Sequence, residues 1–210
     1  KQRHFVENAA HELQTPLAVC MNKLELLSEH PDCTEDQLKE IAGLHQALNG
    51  IIRLNKSLLL LSRIDNKQFP ETRDICLNHL IHKILEGIND IYERKALHLR
   101  VSEKESLVCT MNESLATTLI TNLIKNAYVH NYEKGDIGIT ISRRMLTIAN
   151  TGIDKTLDKE LLFARFASQS KQQESTGLGL AIVKSIVDLY SIRIDYQYAN
   201  GMHTFTLLFY

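Results

Sequence analysis

Asn122-Leu123-Ile124-Lys125-Asn126-Ala127-Tyr128-Val129-His130-Asn131 closes a segment, 113–131, whose apolar residues recur at helical spacing. Asn suits a helix interior poorly, because its side chain competes for backbone hydrogen bonds. Yet 122, 126 and 130 put Asn, Asn and His on one face, while Leu119, Leu123 and Ala127 form the core side. Carboxamide oxygens on an open face suit a hard cation such as Mg2+, which keeps most of its waters and bridges phosphate oxygens. Taken alone, the stripe is equally well a solvated polar face.

Working outward, 137–142 and 145–149 alternate as a β-hairpin turning at Arg143-Arg144. Helices are expected over 78–92 and 178–190, and strands over 97–101, 107–111, 192–198 and 204–209. This order predicts an α+β sandwich from residue 69 onward, a mixed β-sheet covered by helices on one face. Two glycine segments punctuate it. Ile148-Ala149-Asn150-Thr151-Gly152 ends a strand, and Ser175-Thr176-Gly177-Leu178-Gly179-Leu180 opens a helix. Glycines at a helix start leave backbone N–H groups open to a phosphate at the positive end of the helix dipole. For either segment alone, a turn or a helix cap is the commoner meaning.

Before residue 69 the pattern is purely helical. Apolar residues at 6, 10, 13, 17, 20, 24 and 27 trace one amphipathic stripe. Pro31-Asp32-Cys33-Thr34 breaks it, and Thr34 with Gln37 fits a capping box. The stripe resumes at Leu38, Ile41, Leu44, Leu48, Ile51, Leu54, Leu58 and Leu61. A lone hairpin cannot bury both stripes, so pairing with a second copy into a dimeric four-helix bundle is expected. A two-helix appendage packed on the rest of the chain is the alternative. The expected domains are therefore 1–68 and 69–210.

The first helix carries His11-Glu12-Leu13-Gln14-Thr15-Pro16-Leu17. Pro16 lacks an N–H and clashes with the carbonyl of Glu12, which predicts a bend beside His11. His11 and Thr15 share a face beside the apolar stripe. A neighbouring carboxylate favours one imidazole tautomer and makes the other nitrogen the better nucleophile. An isolated helical His is ordinarily just a surface residue.

Composition narrows the function classes. Lys and Arg total 24 against 25 for Asp and Glu, so no basic field points to nucleic acid or an anionic membrane. No apolar stretch approaches the roughly 18 residues that crossing a bilayer takes, and the first residues lack a signal peptide's apolar segment. The chain as given is expected to be soluble and, lacking an initiator Met, a fragment. Four cysteines at 20, 33, 76 and 109 show no paired spacing and read as reduced intracellular thiols.

In this order and spacing the segments resemble the cytoplasmic core of a bacterial sensor histidine kinase, a dimerisation and histidine-phosphotransfer hairpin followed by a GHKL-type ATP-binding domain, over essentially all 210 residues. Residues 11–17 resemble the H-box, 122–131 the N-box, 150–152 the G1 region and 175–180 the G2 region. Leu162-Phe163-Ala164-Arg165-Phe166 resembles the F-box. The resemblance implies ATP-dependent phosphorylation of His11, with Glu12 orienting the imidazole or taking its proton. It implies Mg2+ on Asn126, with Asn122 and His130 on the same N-box face. Asn150 and Gly152 would meet adenine, and Gly177, Leu178, Gly179 and Leu180 would admit the phosphates beneath a lid over 151–176. It further implies phosphotransfer to an aspartate of a response-regulator receiver domain. Glu12-x-x-Thr15 matches a phosphatase signature toward that partner. The implied setting is a homodimer in the cytoplasm, held to the bacterial inner membrane only through a region absent from this chain.

Several positions depart from the pattern. Gln14 stands where a basic residue is common, Asn150 replaces Asp, Asp154 replaces the second glycine of G1, and Ser175 replaces the first glycine of G2. Val129 and Ser168 stand where Lys and Arg are common, and Arg165 or Lys171 are the candidates to supply that charge to the γ-phosphate. These departures motivate an alternative from the scaffold class, a degenerate kinase that dimerises and acts on its regulator while binding ATP weakly. A GHKL ATPase of chaperone or topoisomerase type is a third reading, disfavoured by the hairpin with His11-Glu12.

Overall fold

The computed structural model describes residues 2–166 and 177–210, by backbone alone at 2–11 and 89. Helices α1 (Gln2–Ser28) and α2 (Glu35–Asp65) form the hairpin. Pro16 lies inside α1 without ending it. At the start of α2 the capping box is complete: the Gln37 N–H donates to Thr34 Oγ1 (3.3 Å), and the Thr34 N–H donates to Gln37 Oε1 (2.9 Å). These bonds satisfy donors that a helix start otherwise leaves open.

Beyond the hairpin come β1 (Arg73–Cys76), α3 (Leu77–Tyr92), β2 (His98–Glu103), β3 (Val108–Met111), α4 (Glu113–Val129), β4 (Asp136–Ser142), β5 (Met145–Thr151), α5 (Lys159–Leu162), α6 (Gly179–Leu189), β6 (Arg193–Ala199) and β7 (Met202–Leu208). The main sheet has the order β2-β4-β5-β7-β6, parallel between β2 and β4 and antiparallel elsewhere. This is the expected mixed sheet with two differences. Strand β3 leaves it to pair with β1, a four-residue strand too short and too charged (Arg73, Asp74) to show alternation. The short helix α5 lies in the stretch that reads as an irregular polar connection.

Alternate residues of β4, β5 and β7 (Ile137, Ile139, Ile141, Leu146, Ile148, Phe205, Leu207) are buried, as a half-buried sheet demands. They share one core with Leu119, Leu123 and Ile124 of α4 and Ile182, Val183 and Ile186 of α6. Leu61 and Ile64, at 1% and 2% exposure, bring the last turns of α2 into that core, where α2 packs on α6. An ion pair between Arg165 and Asp65 (3.0 Å) lies beside this contact. No helix of the described residues is long and apolar enough to cross a membrane. All four cysteines are unpaired.

Candidate functional site

Helix α4 starts on a strong cap: Asn112 Oδ1 accepts from the N–H groups of Ser114 (3.0 Å) and Leu115 (3.3 Å). Its apolar side is buried at Leu119, Leu123 and Ala127, as the spacing predicts. Asn122 and Asn126 are half-buried on the other face. The Asn122 amide donates to the Thr118 carbonyl (2.8 Å) and turns Oδ1 toward α6. A Cβ on Gly179 would stand 3.0 Å from that oxygen, so glycine is what lets α6 begin against Asn122. Gly177 has φ +67, the left-handed region open to glycine. The residue at the start of α6, Leu178, makes no side-chain cap hydrogen bond, and the first turn lies against Asn122 on the polar side of α4. The N-box and G2 residues thus meet, as the sequence reading requires. Among the described residues nothing hydrogen-bonds the Asn126 carboxamide, which keeps its oxygen available as a ligand.

The far end of α4 is tied down by residues that the sequence did not single out. The Lys95 ammonium donates to the carbonyls of Tyr128 (2.9 Å), Val129 (2.8 Å) and Asn131 (3.0 Å), setting a cation on the negative end of the helix dipole. Asn131 joins α4 to the sheet: Oδ1 accepts from Thr151 Oγ1 (2.7 Å), and Nδ2 donates to the Asp136 carbonyl (3.0 Å). A Cβ on Gly135 would fall 2.1 Å from Asn131 Oδ1 and 2.5 Å from Thr151 Oγ1, so only glycine admits this knot. The turn at Gly135-Asp136 was the one available signal. Nothing in periodicity marks Lys95.

Asn150, 2% exposed near the end of β5, donates its amide to the Thr151 carbonyl (2.7 Å). Reversing that amide would set oxygen against oxygen, so the bond fixes which atom is Oδ1 and leaves it as the remaining acceptor. Gly152 follows, wedged so closely that a Cβ would lie 3.0 Å from the His130 carbonyl and 3.1 Å from the His203 ring. His130 is half-buried at the α4 cap, and burial pushes its imidazole below the ordinary value, helped by the nearby Lys95 ammonium. Such a group binds its proton less readily in the fold than in the unfolded chain. Its contribution to stability is therefore full above pH 6.5, the ordinary value, and falls as pH drops through the window below it. His130→Gln is expected to flatten that part of the profile in urea midpoints measured between pH 7.5 and 5.5. An unchanged slope would assign the acid sensitivity elsewhere.

The remaining predicted residues are distributed as follows. Glu12 and Thr15 are exposed on α1, and the side chain of His11 lies outside the described residues. Helix α1 packs along α2, which places Glu12 and Thr15 on the hairpin. Arg165 is engaged by Asp65. Leu178 is fully buried and Leu180 is half-buried against the core. Lys171, Ser168, Ser175 and the last part of the expected lid, 167–176 of 151–176, lie outside the described residues.

Comparison with known proteins adds two family matches. Residues 1–67 match the His Kinase A (phospho-acceptor) domain, and 111–209 match the Histidine kinase-, DNA gyrase B-, and HSP90-like ATPase. The chain is 34% identical to the Heme sensor protein HssS of Staphylococcus saprophyticus, across 99% of this chain and 46% of the relative. It is 33% identical to HssS of Staphylococcus aureus strain Newman, across 98% and 46%. It therefore spans a little under half the length of the curated relatives it matches. Its fold is similar to full-length ShkA in complex with AMPPNP (TM-score 0.75, 16% identity, 99% of this chain and 46% of that one). It is also similar to the Acinetobacter baumannii histidine kinase AdeS (TM-score 0.65, 21% identity, 94% and 95%).

Proposed function

The chain belongs to the sensor histidine kinases, being a His Kinase A hairpin joined to a GHKL-type ATPase domain, and from that footing we propose that it phosphorylates His11 with ATP and passes the phosphoryl group to a response regulator. The observation that carries the reading is the meeting of Asn122 with Gly179 at the start of α6. There a half-buried carboxamide face stands against the glycine start of a helix, whose positive dipole end suits the phosphates of a nucleoside triphosphate.

In this reading Asn150 accepts from the adenine amine through Oδ1, while Gly152 allows the base to approach. The stretch 177–180, with Gly177 and Gly179, admits the phosphates at the start of α6. Asn126, with Asn122 beside it, would hold Mg2+, which would neutralise charge developing on the phosphates. His11 attacks the γ-phosphorus: a P–N bond forms, the bond to the β,γ-bridging oxygen breaks, ADP leaves, and the imidazole proton passes to Glu12 or solvent. The Glu12 and Thr15 pair, exposed on α1, serves the reverse task of orienting water against the regulator's phospho-aspartate.

Exposed Leu13, Val19, Leu26, Leu27, Leu44 and Ile51 support pairing of two hairpins into a four-helix bundle. The proposed units are 1–68 and 69–210, working in the cytoplasm and attached to the membrane through a region outside this chain. Incubation with Mg-ATP tests the reading. The expected result is one phosphoryl group per chain at most, acid-labile and alkali-stable. Steady ATP turnover without protein labelling would overturn it, and the absence of saturable nucleotide binding would favour the scaffold alternative.

A further inference from the structure

The segment joining β5 to α5 has no regular structure, yet three side chains from β6 and β7 hold it at successive points. His203, 5% exposed, directs Nε2 at the Ile153 carbonyl (2.8 Å). A carbonyl only accepts, so the proton sits on Nε2, and Nδ1 accepts from the Tyr196 hydroxyl (2.8 Å). That hydroxyl in turn accepts from the Leu157 N–H (3.2 Å). The Tyr198 hydroxyl donates to the Asp154 carboxylate. The rings are mutually packed, with centroids 6.0 Å apart for Tyr196 and His203 and 4.8 Å for Tyr198 and His203.

The held segment lies where it matters for the site. His203 pairs directly across the sheet with Asn150, and its ring presses on Gly152. The strand pair that carries the base-reading carboxamide thus also carries the anchor of the loop that follows it. Asp154 stands where the resembling pattern has a glycine, so this chain exchanges backbone freedom for a side-chain tether. None of these three residues is used by the proposed chemistry.

We propose that Tyr196, Tyr198 and His203 form a clamp that fixes loop 152–157 as one wall of the adenosine triphosphate pocket, and that they are positioning residues for nucleotide affinity. This rests on the ATP reading above. A loop already held in its binding conformation pays no ordering entropy when the ligand arrives, so releasing it weakens binding without altering the reacting groups.

Tyr198→Phe deletes one hydroxyl and Asp154→Gly deletes its partner, both outside the core. Each is expected to raise the KM for ATP in autophosphorylation about fivefold to tenfold, the scale of the net contribution of one ordinary hydrogen bond. The saturating rate and the unfolding midpoint should stay unchanged, and the double variant should be no weaker than either single one. His203→Gln, which keeps a donor for Ile153, should recover part of the affinity lost in His203→Ala. An unchanged KM in both Tyr198→Phe and Asp154→Gly would overturn the clamp, as would additive effects. A loss explained wholly by a lowered unfolding midpoint would also overturn it. If the unaltered chain shows no saturable ATP binding, the pocket reading itself fails, whatever the variants do.

Discussion

His11→Gln is expected to abolish phosphoryl incorporation from Mg-ATP while leaving nucleotide binding intact. Glutamine approximates the size of the imidazole and keeps hydrogen-bonding capacity, but its amide nitrogen is no nucleophile. The separation of effects follows from the fold, because α1 packs along α2, while the meeting at Gly179 is made with Asn122 of α4. The measurement is acid-labile label per chain alongside an ATP titration. Label persisting in the variant would assign the nucleophile elsewhere on the hairpin. His30, beside the turn, and His45, whose Nδ1 lies 3.0 Å from the Asn49 amide, are the first alternatives to test. Loss of both label and binding would mean that the substitution disturbs the fold rather than the chemistry.

Asn126→Ala is expected to be nearly as severe, by a different route. A metal contact that stabilises developing phosphate charge contributes several kcal/mol, so a fall in phosphorylation of at least about 100-fold is expected. The diagnostic is the metal dependence of binding. In the unaltered chain Mg2+ should tighten ATP, and in the variant that enhancement should vanish. Asn126→Asp, which keeps an oxygen ligand, should restore part of it. The unfolding midpoint should hold, since no described hydrogen bond uses the Asn126 side chain and its backbone carbonyl still accepts from His130 (3.1 Å). Full Mg2+ enhancement in Asn126→Ala would remove this residue from the metal site.

What the sequence made legible was whatever repeats at a fixed period or sits at a forced backbone position. The capping box at Thr34 and Gln37, the buried side of α4, and the β4–β5 hairpin all follow from local spacing. So does the glycine at the start of α6, because a glycine before a helix already implies a close approach. The strand β1 escaped because four residues give no period, and its pairing with β3 is decided more than thirty residues away. Lys95 escaped for a related reason. A lysine in a polar turn resembles any solvated lysine until the chain brings the end of α4 over it. Tyr196 reads as a member of the strand 192–198, and His203 falls just before the strand expected over 204–209. Only the sheet register, which aligns His203 with Asn150, reveals that their polar ends point at one loop. Local signals therefore located the chemistry, and long-range pairing supplied the residues that hold it still.

The last turns of α2 give the chain a mechanical character. Leu61 and Ile64 lie in the core of the ATPase domain, so any swing that carries this domain away from the stem uncovers them. Exposing each such side chain costs about 1.5–3 kcal/mol, and the Arg165–Asp65 pair must part as well. The joint between stem and domain is therefore not a slack tether but a detent. The domain rests in one seat, and a twist or tilt of the stem must do work against that apolar contact before the domain can travel along the helices toward the histidine.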